Sequence, residues 1–380
     1  MKKIAIIGSG EFQLPLIKSA REEGLETHVF SWGGNELAAN FFYNISIIEK
    51  QLILDKCREI GIDGICSIGS DLANITVNFV ANALGLVSNS IECTEITTNK
   101  YLMRQHLIMN NIPVPHFNYL NEIKNFQPLS YPVIVKPVDR SGSRGITLVD
   151  SPLNILTAIK VAFDESFSKE ILIEEFINGR EFSVESISYN GSHEILQITE
   201  KFTTGSPDFI ERGHICPARI TSEERDLISD LVCKTLKAVN ISNGAAHTEL
   251  KINDIGDAYI IEIGSRMGGD YIGSDLVFYS TGFDFTKAVL AIAMNSNYKA
   301  TEFYSQEKKH MISIVKFVFN DDDVKKCHNA CFYGDVVHSN LNNTNGIHNK
   351  KITSSSDRLG HLLLVTDQER RDKALKILGF

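Results

Sequence analysis

Alternation of apolar and polar positions is clearest from His247 to Gly269, HTELKINDIGDAYIIEIGSRMGG. Two apolar runs, Thr248–Asn253 and Ala258–Ile263, flank the polar turn Asp254-Ile255-Gly256-Asp257. That pattern predicts a β-hairpin. A two- or four-residue loop gives the same register, which sets Glu249 directly opposite Glu262. Leu250, Ile252, Tyr259, Ile261 and Ile263 then share one face, and Glu249, Lys251 and Glu262 the other. Like charges directly across a strand pair repel, so a cation is expected between the two carboxylates. Either Lys251 neutralises a solvated face, or the carboxylates hold Mg²⁺ or Mn²⁺ with phosphate oxygens completing the shell. Gly264-Ser265-Arg266-Met267-Gly268-Gly269 then ends the strand with an arginine in a glycine-rich bend. Such an arginine is suited to bidentate contact with a phosphoryl or carboxylate group.

The N-terminal third alternates between the two periods. KIAIIGSG reads as a strand and turn, followed by a helical segment to Gly24 and the strand THVF. A helix from about Gln51, the strand GICSIG and a helix through Leu84 continue the pattern, which implies a small parallel-sheet domain. Gly8-Ser9-Gly10 permits a phosphate to approach a helix N-terminus. It lacks the third glycine and the acidic residue of the dinucleotide fingerprint, so a tight strand-to-helix turn is the plainer reading.

Asn99-Lys100 opens a helix through Asn110, after which the two prolines of IPVPHF break any helix. YPVIVKPVDRSGSRGITLVD then gives a strand, Lys136, a small-residue loop and a second strand. Such a loop can fold over a triphosphate with its N–H groups as donors. It is not a Walker A loop, because its lysine precedes the glycines. Lys136 read alone is an exposed strand end. ILIEEFINGREFSVESIS reads strand–turn–strand. The extended stretch Glu174-Glu175-Phe176-Ile177 offers backbone groups to an adenine edge, and Glu181 offers a carboxylate to a ribose. The plain alternative is a hairpin with solvated carboxylates.

Residues 200–220, EKFTTGSPDFIERGHICPARI, read as a polar loop that carries Glu211, Arg212 and His214. It is either a substrate wall or an idle exposed loop. Helices are expected at 222–240 and 282–296. Strands follow in MISIVKFVF, CFYGDVV and SDRLGHLLLV, then a closing helix, with residues 340–351 as a polar excursion. Cys327, His328, Cys331, His338 and His348 do not have the spacing of a standard zinc module.

Composition narrows the class. A net charge of −9 over 380 residues disfavours nucleic acid or an anionic membrane as partner. Charged residues at 22% and hydrophobic ones at 43% are ordinary for a globular protein of two or three domains. The seven scattered cysteines, without a CxxC pair, suggest reduced thiols in a cytoplasmic enzyme. Lys2-Lys3 precede only a short apolar run, so no signal peptide is expected. No apolar run is long enough to span a membrane.

Lys100, KPVDRSGSRG, EEFINGREFSVE and HTEL…YIIEIGSRMGG occur in the order and spacing of the ATP-grasp superfamily. The chain most resembles the carboxylate–amine ligases, including the L-amino acid ligases. The resemblance implies an α/β and α+β chain: an N-terminal Rossmann-like parallel-sheet domain (1–98), a two-lobed ATP-grasp domain (99–300) and a small C-terminal lobe (301–380). SSSDRLG, residues 354–360, is similar to part of that closing lobe. By the same resemblance Lys100 and Lys136 contact ATP phosphates, and Ser141, Gly142 and Ser143 belong to the loop that covers them. Glu174, Glu175, Phe176 and Ile177 hold adenine, and Glu181 the ribose. Glu249 and Glu262 ligate the metal, and Arg266 steadies an acyl phosphate. Glu211 and His214 match the FxExxHxxP segment that lines an amino-acid pocket. Gly268, Gly269 and Asp270 border it, with Asp270 able to take a substrate ammonium group.

One departure stands out. Most of the superfamily has EINPR where this chain has EIGSR, so Gly264 offers no side-chain oxygen to a metal. The expected activity is ATP-dependent joining of a small carboxylate to an amine, with ADP and phosphate released. A homodimer is compatible with this reading, and neither nucleic acid nor membrane is an expected partner. Three other readings stay open: a bicarbonate-using enzyme (biotin carboxylase-like or carbamoyl-phosphate-like), a non-catalytic ATP-binding module, and a nicotinamide oxidoreductase resting on Gly8–Gly10 alone.

Overall fold

A computed structural model describes residues 1–380 except 125, 127, 129, 207–208, 306–310 and 342–353. The first unit alternates as its hydrophobic periods require: β1 (Lys3–Ile7), α1 (Leu14–Glu22), β2 (Glu26–Ser31), β3 (Phe41–Asn44), α2 (Lys50–Ile60), β4 (Gly64–Cys66), α3 (Asp71–Leu84) and α4 (Ile91–Thr98). Its strands are parallel in the order β3-β2-β1-β4. β3 and α4 were not expected. β3 is a half-exposed edge strand with no buried residue, so it carries no apolar run to announce it. The Gly8–Gly10 turn closes on residues 33–35, with Ser9 Oγ donating to Gly33 O (2.6 Å) and Asn35 N–H to Ser9 O (2.9 Å).

α5 (Lys100–Met109) starts where Asn99 predicts it, the Asn99 side chain accepting from the N–H groups of Tyr101 and Leu102. β5 (Phe117–Leu120), β6 (Val133–Pro137), β7 (Thr147–Val149), α6 (Ile155–Glu165) and β8 (Ile171–Glu175) follow. The four strands form an antiparallel sheet, β5-β8-β6-β7, with α6 packed on it. β9 (Gly179–Tyr189) belongs to a different sheet from β8. The stretch 171–188 is therefore not a hairpin: Glu175 to Gly179 crosses from one lobe to the other.

The second sheet is built from β9, β10 (Ser192–Thr203), β11 (Glu211–Cys216), β12 (Gly244–Asn253) and β13 (Ala258–Gly264), with α7 (Ser222–Ala238) inserted after β11. α8 (Val277–Thr281) and α9 (Phe285–Ala293) precede β14 (Ile312–Val318), α10 (Asp321–Ala330), β15 (Asp335–Asn340), β16 (Gly360–Thr366) and α11 (Gln368–Leu378). All eight strands pair antiparallel in the order β13-β12-β9-β10-β11-β14-β16-β15. β14 to β16 thus extend the sheet that carries the hairpin. α5 and α7 cover one face of it through a core that includes Phe182, Leu250, Ile260 and Ile263. The excursion expected at 340–351 lies, from residue 342 on, outside the described residues, as does His348. No helix among the described residues is long and apolar enough to cross a membrane.

Two expectations are corrected here. Residues 200–220 are mostly strand: β10 runs to Thr203, and Glu211–Cys216 pairs with both β10 and β14. In the hairpin, Glu249 does face Glu262, but the register shifts between Glu249 and Leu250, so Leu250 faces Ile260 and Ile252 faces Ala258. A β-bulge at Ile261 causes the shift. The Ile260 N–H goes to Pro113 O (2.9 Å), and the Ile261 carbonyl accepts from Arg104 Nη2 (2.7 Å). Ile260 and Ala258 therefore enter the core, whereas Ile261 lines the cleft beside Glu262.

Candidate active site

The two sheets face each other across a cavity of about 180 Å³ lined by four lysines and six glutamates. Lys136 ends β6 but is no exposed strand end. It is 4% exposed, and its Nζ lies 2.5 Å from Glu174 Oε2. Arg104, fully buried on α5, holds the same carboxylate through Nε (2.7 Å) and Nη2 (3.3 Å). Burial holds the Lys136 ammonium below the ordinary lysine range, more strongly than Glu174 raises it. For Glu174 burial acts upward, but Arg104 and Lys136 together hold the carboxyl below its usual range.

Across the cleft each hairpin carboxylate has its own lysine. Lys100 Nζ lies 2.9 Å from Glu262 Oε1 and also donates to Arg140 O (2.7 Å). Lys201, from β10, reaches Glu249 (2.5 Å) and Glu181 (3.0 Å). Burial works against the charge on Lys201, yet the neighbouring glutamates hold its pKa well above the usual value. The lysines paired with the two glutamates are thus Lys100 and Lys201, not the expected Lys251. Lys251 instead donates to Ile177 O (3.1 Å), sits 4.9 Å from the Phe176 ring and is 4.0 Å from Glu181.

The segment between the lobes offers a strand edge. The Glu175 and Phe176 N–H groups are bonded to His116 O and Pro132 O, whereas the Ile177 N–H has no hydrogen-bond partner among the described residues. Glu181, four residues further, lines the same cavity. The loop Ser141–Gly145 roofs its other end, with Gly142, Ser143 and Gly145 all at positive φ. A Cβ at Gly145 would approach Glu165 and Pro137 to within 2.9–3.0 Å, so glycine is required there for space as well as for conformation.

The bend after β13 collects the remaining groups. Arg266 forks onto Asp71, Nε to Oδ1 at 2.8 Å and Nη2 to Oδ2 at 2.9 Å. The Gly268 N–H donates to Glu185 Oε2 (2.9 Å), and Glu185 also holds His247 Nδ1. His247 Nε2 lies 3.3 Å from Glu249 Oε1. Burial alone would lower the imidazole pKa, but Glu185 and Glu249 raise it to about 9. A Cβ at Gly268 would come within 2.5 Å of Glu185, which accounts for the glycine. Gly269 packs on Gly69 of the N-terminal unit.

Asp270 is held by Arg358, Nη1 to Oδ1 at 2.8 Å and Nη2 to Oδ2 at 2.9 Å. Arg358 Nη2 also reaches Glu211 Oε2 (3.0 Å), which Ser355 Oγ joins at 2.8 Å. His214 is buried on β11 with Nε2 3.4 Å from Asp270, and burial lowers its pKa. The structure lines the cavity with every residue given a site role from the sequence except His214, Gly268, Gly269 and Asp270, of which His214 and Asp270 connect to it through Arg358 and Glu211. It also adds five that sequence reasoning passed over: Asp71, Glu185, Lys201, His247 and Arg358. Of these Glu185, Lys201, His247 and Arg358 stand in the segments EEFINGREFSVE, EKFTTGSPDFIERGHICPARI, HTEL and SSSDRLG without a role given to them there, and Asp71 stands in none.

This donor set fits a magnesium nucleotide. Two opposed carboxylates on rigid strands are hard oxygen ligands, and Lys100, Lys136 and Lys201 supply charge for a triphosphate under a glycine loop. Residues 129–275 match the family model described as ATP-grasp domain. The chain contains an ATP-grasp domain. Its whole architecture is also that of a solved L-amino acid ligase from Bacillus licheniformis, with a TM-score of 0.84 at 24% identity, covering 99% of this chain and 96% of that one. Two curated relatives are similar to the chain over part of their length. D-alanine–D-alanine ligase from Flavobacterium psychrophilum is 33% identical over 189 residues, 46% of this chain and 55% of that one. Dapdiamide A synthase from Enterobacter agglomerans is 27% identical over 246 residues, 58% of this chain and 55% of that one. The chain thus spans about half the length of these curated relatives.

Proposed function

We propose that this ATP-grasp protein is an ATP-dependent carboxylate–amine ligase acting on amino acids or similar small carboxylates. The observation that carries the reading is the hairpin that sets Glu249 against Glu262, each with a buried lysine, with Arg266 in the bend beyond. The names of the three similar proteins, each a ligase or synthase, support it.

Adenine lies along Glu175 to Ile177, with Glu174 fixing Lys136 from behind and Glu181 taking the ribose. The phosphates run past Lys136, Lys100 and Lys201 beneath the Ser141–Gly145 loop. Glu249 and Glu262 would hold Mg²⁺ or Mn²⁺, which supplies charge neutralisation between the phosphates. The substrate carboxylate attacks the γ-phosphorus, the bond to the β–γ bridging oxygen breaks, and ADP leaves. Arg266 offsets the charge on the transferred group. The amine nitrogen then attacks the acyl carbon, phosphate departs and the amine loses a proton. The closed loop keeps water from the acyl phosphate. Glu211, His214, Gly268, Gly269 and Asp270 form the wall against which the acyl group or the amine rests.

The test is product analysis with amino acids supplied singly and in pairs. We expect one ADP and one phosphate per amide, and a hydroxamate when hydroxylamine replaces the amine. AMP and pyrophosphate in step with the amide would sink the reading, and turnover that needs bicarbonate but no amino acid would replace it.

A second expectation concerns the wall. Arg358 satisfies both Asp270 oxygens and one Glu211 oxygen. In Arg358→Ala two half-buried carboxylates would lose the guanidinium they share. The KM of the wall-bound substrate should rise on the order of tenfold, about 1.4 kcal/mol, with the KM for ATP unchanged. Equal increases in both constants would count against a role confined to the wall.

A further inference from the structure

The bend that carries Arg266 is fastened from outside the hairpin. Besides the Asp71–Arg266 fork, Asn74 on α3 donates Nδ2 to Ser265 Oγ (2.9 Å), and Thr97 Oγ1 lies 2.9 Å from that same hydroxyl. The Gly69 N–H donates to Met267 O (3.1 Å). Each of the three residues after the end of β13 is thus tied to the N-terminal unit. Asp71 begins α3, directly after its N-cap Ser70, so a stable helix end places the carboxylate.

Gly264, where this chain departs from the EINPR pattern, lies under that fork. A Cβ built there would sit 3.0 Å from Asp71 Oδ1, 3.4 Å from Arg266 Nε and 3.5 Å from Arg266 Cζ. The backbone at 264 is not in the left-handed region, so glycine is not demanded by conformation. It is favoured by the close neighbour. An alanine would push the carboxylate by a few tenths of an ångström, and an asparagine would need the volume the carboxylate fills.

We propose that Asp71 is a positioning residue for Arg266, and that glycine at 264 is the space that admits it. The inference rests on the ligase reading for what Arg266 does. A two-point fork fixes the plane of a guanidinium, which a lysine could not reproduce. Asp71 binds Nε and Nη2, leaving Nη1 with only a long contact to Met267 O (3.5 Å). Nη1 is therefore the nitrogen left to meet the group in transfer. The N-terminal unit thereby takes part in the chemistry without touching a substrate.

The test combines a mutant cycle with a spectroscopic readout. Asp71→Asn keeps the shape of the side chain but turns one acceptor into a donor. Its kcat should fall on the order of 10²-fold, the scale of a misplaced reacting group, with KM for ATP unchanged. Gly264→Asn should give a similar loss, and Asp71→Ala with Gly264→Asn should lose no more than Gly264→Asn alone. By NMR, the Arg266 Nε–H signal, identified by its disappearance in Arg266→Lys, should exchange slowly in the wild type and fast in Asp71→Asn. Unchanged kcat in Asp71→Asn, additive losses in the cycle, or a protected Nε–H signal in Asp71→Asn would each overturn the proposal. A wild type that forms no ADP with any carboxylate and amine would sink the ligase reading, and the NMR comparison would then decide the fork by itself.

Discussion

Glu262→Gln should reduce turnover on the order of 10²-fold or more, the scale of losing one electrostatic partner of a group in transfer. Nucleotide affinity should stay within a few fold, because the adenine edge at 175–177 and Lys136 lie apart from Glu262. The substitution keeps an oxygen for Lys100 Nζ, which also retains Arg140 O. Glu262 is partly exposed, so its ion pair contributes little to stability, and the unfolding midpoint should barely move. The measurements are ADP release, with hydroxamate formation alongside, and equilibrium binding of ADP. Near-normal turnover would return the hairpin carboxylates to a structural role shared with their lysines.

The second large effect is on stability. Glu174 is the sole carboxylate among the described residues bonded to both Arg104 and Lys136, and all three side chains are buried. Removing one member of a buried ionic cluster leaves uncompensated charge and costs about 3–5 kcal/mol. Glu174→Gln should therefore lose stability on that scale in urea unfolding. The sign with pH follows from the depressed Glu174 pKa. Its contribution is complete above the ordinary glutamate value, roughly 4.3, and is lost as pH falls through the folded-state value. The wild type should lose this increment on acidification, and Glu174→Gln should not. A loss below about 1 kcal/mol, the scale of an exposed pair, would show that the cluster is not effectively desolvated.

Local signals carried the elements, and distant contacts carried the rest. The hairpin was legible because alternation and a glycine turn are properties of neighbouring residues. Its bulge was not, because Pro113 and Arg104, which capture the Ile260 N–H and the Ile261 carbonyl, lie far away in sequence. β11 reads as a loop in the sequence partly because of Gly213. A Cβ there would lie 2.3 Å from the Phe380 ring and 2.3 Å from Val315 O. The glycine marks tight packing inside a sheet, and nothing local distinguishes that from a turn. The motifs brought Lys100, Lys136, Glu249, Glu262 and Arg266 to one cleft. Asp71 stands 195 residues from the arginine it holds, and Lys201 stands 48 from Glu249. Ser-Asp at the head of α3 reads only as a helix start.

The order of strands in the large sheet has a consequence for synthesis. Every residue assigned to the nucleotide, and both hairpin carboxylates, precede residue 263. The wall carboxylates Glu211 and Asp270 wait for Arg358, which arrives between β15 and β16. β11 likewise waits for β14 to pair along its outer edge. On the proposed reading, a chain growing from its N-terminus therefore assembles the ATP end of the cleft first and the acceptor end last. A ribosome-bound chain short of residue 358 has both hairpin glutamates but lacks the guanidinium that holds Glu211 and Asp270, so on the proposed ligase reading coupled turnover would begin only when that late segment has docked.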